Sequence, residues 1–312
     1  MSAEGSLRAV IAALLANLGI AVAKFAAAVV TGSSAMLAEA IHSVADTGNQ
    51  GLLLLGNKRG ARRADAEHPF GYGRDRYVYA FLVAVVLFSL GGLFAVYEGI
   101  EKLRHPHELE DAAVAVAVLV VAVVLESLSL RTVVRESNHV RGGESWVGFV
   151  RHTKIPELPV VLLEDFAALI GLFLALVGVG LTVLTGNPRW DAVGTLLIGI
   201  LLACVAVVLA VEMKGLLIGE SAAPETELRI RQALAGTPRV TRLIHLRTLH
   251  LGPEELLVAA KVEIDRAATV PEVARVIDHA EARVRGEVPI ARVMYLEPDL
   301  WRSAGAPGPD AR

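Results

Sequence analysis

His42 and Asp46 stand four residues apart in the run Ser33–Asp46, with Glu39 three residues before the histidine. On a helix, residues three and four apart share one face. An imidazole and a carboxylate are therefore offered together, with a second carboxylate beside them. That donor set suits Zn²⁺ and accepts other first-row divalent ions. The same atoms bind protons, so one site can hold either a metal or protons, the physical requirement for metal/proton exchange. The alternative is a hydrogen bond that packs helices. A further acidic pair, Glu164-Asp165, follows the apolar run Leu158–Leu163. This puts the acids roughly 9 Å into a helix at about 1.5 Å rise per residue. At that depth a carboxylate needs a partner, and His42 and Asp46 on another helix are candidates; two interfacial acids are the simpler alternative. Asn49, three after Asp46, is spaced to orient it by a hydrogen bond.

Other polar groups carry weaker signals. Asp65 and His68 in Asp65–Arg74 could share an ion, or belong to a solvated basic turn. His105 and His107 flank Pro106 beside Glu108, Glu110 and Asp111, which reads as a solvated loop. His245 and His250 lie at odd spacing, so on a strand they point to opposite faces and read as surface histidines. Asn17 and Lys24 either line a cavity or pair with acids such as Glu39.

The elements that must position these residues are membrane helices. Hydrophobic residues make up 54 % of the chain while 20 % are charged, so the apolar residues come in blocks. The mean hydropathy is +0.53, above that of ordinary soluble domains. Six runs, at 7–31, 34–56, 77–101, 111–135, 158–184 and 190–218, are long enough to cross a bilayer, which takes about 20 residues. Basic residues gather in alternate loops: Lys58, Arg59, Arg62, Arg63, Arg74 and Arg76, then Arg135, Arg141, Arg151 and Lys154. The opposite loops hold Lys102, Arg104 and Arg189. Basic loops stay cytoplasmic, which places both termini there, in a multi-pass protein of the cell (inner) membrane. The first run has no signal-peptide cleavage pattern and reads as a span.

After residue 220 the pattern becomes that of a small α+β domain. A helix over 224–235, strands over 240–251 and 256–264, a helix over 271–285 and a strand over 290–296 give the order αββαβ. This suggests a ferredoxin-like, split βαβ core. The expected domains are 1–220 (six transmembrane helices), 221–302 (cytoplasmic α+β domain) and 303–312 (disordered tail). The net charge of −3 argues against nucleic-acid binding, and the single cysteine, Cys204, excludes an intrachain disulfide. There is no HExxH and no nucleotide-binding motif, so neither an intramembrane metalloenzyme nor an ATP-driven pump is expected. No organic cofactor is implied.

Three features resemble the cation diffusion facilitator family of divalent-metal transporters: Ser34–Asp46, His68-Pro69-Phe70-Gly71-Tyr72-Gly73, and six spans followed by a small α+β domain. Val161–Asp165 and Leu184–Pro188 look like the zinc transporter 9 subgroup. The resemblance implies a homodimer, in which each protomer has a transport site between spans two and five. It implies export of Zn²⁺ or a related ion from the cytoplasm against protons, by alternating access. His42, Asp46 and Asp165 match the family's site positions. Val161 stands where the family carries His or Asp, so Glu164 is the nearest substitute fourth donor. An oxygen-rich set widens the candidate ions to Fe²⁺, Mn²⁺, Co²⁺ and Ni²⁺. Asp65 and His68 match a second, loop site, with Tyr72 in place of a further histidine. Ile244, Lys261 and Leu296 replace histidines of a cytoplasmic zinc site, which implies dimerisation with little metal sensing. A membrane sensor that binds metal without transporting it is the reading from another class.

Overall fold

A computed structural model describes residues 18–106, 108, 109 and 111–301. Residues 7–17 of the first run, Asn17, His107, Glu110 and the tail 303–312 lie outside the described residues. The chain divides into two units. One takes in the chain up to Arg59 and Asp75–Lys214; the other combines Gly60–Arg74 with the chain from Gly215 onward.

The first unit is all helix. Its elements are α1 (described over Leu18–Thr31), α2 (Ser34–Gly60), α3 (Asp75–Arg104), α4 (Ala112–Arg141), the short α5 (Trp146–His152), α6 (Glu157–Thr185) and α7 (Arg189–Ile218). By length and composition, four of these are able to cross a membrane: α3, α4, α6 and α7. Their best windows reach mean hydropathies of 2.4 to 2.8. The six-span expectation is thus met by four of the described helices. The described part of α1 is short, and α2 is diluted by the polar residues that make it interesting. Glu39, His42, Ser43 and Asn49 are all buried on α2.

Close helix packing rests on small residues. A Cβ at Gly99 of α3 would come 2.7 Å from the Leu196 side chain, and one at Gly199 of α7 would come 2.7 Å from the Val96 nitrogen. Missing side chains let two backbones approach where lipid offers no hydrophobic drive. Between residues Leu87 and Leu93, α3 widens to a π-helical turn containing Gly91 and Gly92, and Gly92 faces the Ala203 backbone. Such turns re-aim a helix without breaking it.

The second unit is a three-stranded mixed sheet with two helices. In chain order these are α8 (Pro224–Ala235), β1 (Val240–Gly252), β2 (Glu255–Ile264), α9 (Val270–Glu287) and β3 (Val293–Pro298). β1 and β2 form an antiparallel hairpin that closes from Gly252 to Glu255. β3 runs parallel to β2, from Leu257↔Val293 to Val262↔Pro298. The order β1-β2-β3 corrects one expectation. The βαβ unit is not split, because β3 lies directly beside β2 with no strand between them. Alternate residues of β2 (Leu256, Val258, Ala260, Val262, Ile264) are buried. The first three share one core with Ile230 and Leu234 of α8 and Val284 of α9. Pro224 opens α8. Thr269 caps α9 in a reciprocal box with Glu272, satisfying donors that a helix start leaves open.

Gly60–Arg74 belongs to this second unit. Gly73 lies backbone to backbone on the hairpin turn: a Cβ there would come 2.8 Å from the Leu251 carbonyl oxygen and 3.1 Å from Gly252 Cα.

Candidate metal site in the helical unit

The polar residues of α2 sort into three groups. Glu39 is fully buried and accepts from Lys24 Nζ of α1 at 3.2 Å; the same ammonium donates to Ser43 Oγ at 2.8 Å. Lys24 therefore pairs with an acid, one of its two expected roles. Gly171 of α6 leaves room for Glu39, since a Cβ there would sit 2.5 Å from Oε1.

His42 and Asp46 do meet on one face, with Nδ1 3.5 Å from Oδ1. That distance is long for a hydrogen bond. His42 is 1 % exposed, and neither ring nitrogen has a hydrogen-bond partner. Buried polar atoms are nearly always paired, so an imidazole left open beside a carboxylate fits an ion ligand better than a packing bond.

Asn49 does not orient Asp46. Its Nδ2 donates to Glu164 Oε1 of α6 at 2.7 Å, so its amide donor is taken by a different carboxylate. Asp165 takes a different partner, accepting from Ser129 Oγ of α4 at 2.7 Å. Asp46 and Asp165 come together across a small polar cavity, also lined by Ser43, Gln50, Glu126 and Ser129. Glu164 is not on that wall. Among the described residues, no three His, Cys, Asp or Glu side chains are close enough to hold one ion as they stand. The donors surround a cavity without forming a coordination sphere.

Two groups here escaped the sequence reading. Glu126 interrupts the apolar helix α4 as Asp165 interrupts α6, and that interruption was the signal available. Asp191, in the first turn of α7, is fully buried. It accepts from Ser33 Oγ (2.7 Å), Ser34 N (2.8 Å) and Ser34 Oγ (2.9 Å). It thereby satisfies the start of α2, while Lys102 Nζ donates to the Gly32 carbonyl at 2.5 Å. Together they pin the α1–α2 connection.

In the second unit, Asp65 organises its own loop. It accepts from Tyr72 Oη at 2.7 Å, His68 N at 2.8 Å and Glu67 N at 3.1 Å. The Tyr72 hydroxyl is the main reason its carboxyl sits below the usual range. The His68 ring packs on Tyr72 with centroids 4.3 Å apart, and its Nδ1 lies 3.7 Å from Asp65 Oδ1. The two could still share an ion, but Asp65 is already employed as a turn acceptor. His105 is exposed, its Nε2 3.7 Å from Glu101. His245 is exposed as expected. His250 is a correction: it is 3 % exposed, its backbone N–H donating to the Glu220 carbonyl at the end of β1. Lys261 is paired with Glu297 (3.1 Å) and Asp299 (3.4 Å).

Two family models match this chain. Residues 10–218 match the cation efflux transmembrane domain. Residues 222–295 match the cation efflux protein cytoplasmic domain. The chain belongs to the cation efflux family. The cation diffusion facilitator resemblance is thereby borne out, with its likeness to the zinc transporter 9 subgroup. The human mitochondrial proton-coupled zinc antiporter SLC30A9 is 35 % identical over 244 residues, 78 % of this chain and 43 % of that protein. Metal tolerance protein C4 of Arabidopsis thaliana is 29 % identical over 267 residues, 84 % of this chain and 58 % of its own. The magnetosome protein MamB of Magnetospira sp. (strain QH-2) is 22 % identical over 284 residues, covering 91 % and 92 %. The chain thus spans less than half the length of the human antiporter it matches. It is an integral membrane protein of a transporter family.

Proposed function

We propose that this protein is a secondary transporter that exports a divalent cation, Zn²⁺ first, from the cytoplasm in exchange for protons. It works as a homodimer with six spans per protomer, both termini cytoplasmic, in the cell membrane. One observation carries the reading: a buried imidazole with both nitrogens open, beside Asp46, with Asp165 across a cavity inside a helical membrane unit. The name of the human relative, a proton-coupled zinc antiporter, supports the ion and the counter-ion. The second family match supports dimerisation.

His42, Asp46 and Asp165 take the metal as substrate. Metal binds the deprotonated ligands, and protons compete for the same atoms, so apparent affinity falls as pH drops. In alternating access, metal leaves on one side as protons take its place, and the helices close on the protonated site. Lys24 and Glu39 cancel one another beside the path and take no part in ligation. The oxygen-rich donor set favours a second reading, export of Fe²⁺, Mn²⁺, Co²⁺ or Ni²⁺ by the same mechanism. Asp65 and His68 are proposed as a weaker loop site.

Flux in proteoliposomes with a panel of divalent ions, with and without a pH gradient, tests this. Zn²⁺ movement driven by an imposed proton gradient is expected. Binding without flux would leave a membrane sensor, and flux indifferent to the gradient would mean facilitated diffusion.

A further inference from the structure

We infer that Glu126 of α4 is the fourth protein ligand of the transported ion, supplying the donor that Val161 cannot. The inference rests on the transport reading above and adds a third helix to its site.

Glu126 sits near the middle of α4, a 30-residue helix whose best window has a mean hydropathy of 2.6. A carboxylate at that depth is expensive unless it faces a cavity or a partner. It faces a cavity: Glu126, Asp46 and Asp165 line the same one. Ser129, one helical turn further on, donates to Asp165 Oδ2 at 2.7 Å, so this face of α4 is held against the site. The group that points to an ion is His42. It is 1 % exposed, has no hydrogen bond on either ring nitrogen, and turns Nδ1 to Asp46 Oδ1 on the cavity wall. Lys24, the buried cation of α1, is already committed to Glu39 and Ser43. Glu164, the alternative donor, has Oε1 held by Asn49 and lies off the wall. Closing the cavity by a small inward movement of side chains would bring one imidazole and three carboxylates around an ion. That set accepts hard ions such as Mn²⁺ and Fe²⁺ more readily than a two-histidine site does.

Equilibrium dialysis of the full-length detergent-solubilised protein with Zn²⁺ alone, and then Mn²⁺ alone, decides it. Wild type, Asp46→Ala, Glu164→Gln and Glu126→Gln are compared, with size-exclusion profile and thermal melt as folding checks. A loss of tenfold or more in Zn²⁺ affinity for Glu126→Gln is expected, with a larger loss for Mn²⁺. Glu164→Gln is expected to stay within about twofold of wild type. Glu126→His should recover Zn²⁺ affinity more than Mn²⁺ affinity relative to Glu126→Gln, which a merely structural role would not produce. If Glu126→Gln does not fold, Glu126→Asp takes its place, with a smaller loss expected from the shortened arm. Wild-type affinity in either folded variant overturns the inference while leaving the transport reading intact. A wild-type protein that binds neither ion overturns the transport reading itself.

Discussion

Asp46 is the residue on which the transport reading stands or falls. It is the carboxylate that both touches His42 and lines the cavity. Asp46→Ala should abolish metal flux in proteoliposomes while the protein still runs as a folded species on size exclusion. Normal flux in that variant would remove the site from α2. Lys24 and Glu39 make a different prediction, because both are fully buried. Removing one partner leaves an uncompensated charge, at a cost of about 3–5 kcal/mol. Lys24→Met should lower the melting temperature sharply, and Lys24→Met/Glu39→Gln should recover much of the loss. A double variant that melts no higher than Lys24→Met would show that the unpaired Glu39 charge is not what destabilises the single variant. The His42/Asp46 pair was legible because helical spacing is local information. The partner of Asn49, the burial of Asp191 and the place of Glu126 were not, because each depends on which helix faces which. Glu164 and Asp165 illustrate the limit: neighbours in sequence, they turn to different helices.

At the scale of the element, punctuation was the readable part. Pro224 and Gly236 bracket α8, and Thr269-Val270-Pro271-Glu272 opens α9, so the helix bounds of the second unit follow the residues that start and stop helices. Strand order was not readable, since alternation tells which face a strand buries and nothing about its neighbour. The start of α9 carries a pH dependence. Hydrogen bonds from Thr269, backbone first, and the Arg239 guanidinium hold the Glu272 carboxyl down at about 2. A carboxyl depressed in the folded state stabilises it fully above its ordinary pKa, near 4.3. That contribution should fade as pH falls from there through about 2. Hydrogen exchange at the first turn of α9 should accelerate over that window in wild type. Thr269→Ala should cost about 1 kcal/mol near neutral pH and flatten the acid dependence. An unchanged acid profile in Thr269→Ala would show that the cap does not set the Glu272 carboxyl.

For the whole molecule, membrane character was written in composition, because apolar blocks of this length have few other uses. The loop Gly60–Arg74 was not legible in the same way. Its basic residues read as a cytoplasmic connector between helices, yet it packs as part of the second unit. Two glycines far apart in sequence, Gly73 and Gly252, meet where neither could carry a Cβ without a clash. Gly73→Val should release the loop from the hairpin turn and expose it to limited proteolysis, with little change in the melting of the helices. Protection equal to wild type would mean that the loop is held by other contacts.

That glycine contact also has a consequence for biosynthesis. Gly73 leaves the ribosome well before Gly252 does. At about 5–20 residues per second, the interval is roughly 10–40 s. Throughout that time the docking surface of the loop does not yet exist. The loop must remain undocked until the β1–β2 hairpin has been translated. Ribosome-stalled chains ending before Gly252 should therefore be cut readily within Gly60–Arg74, and chains long enough to complete the hairpin should resist.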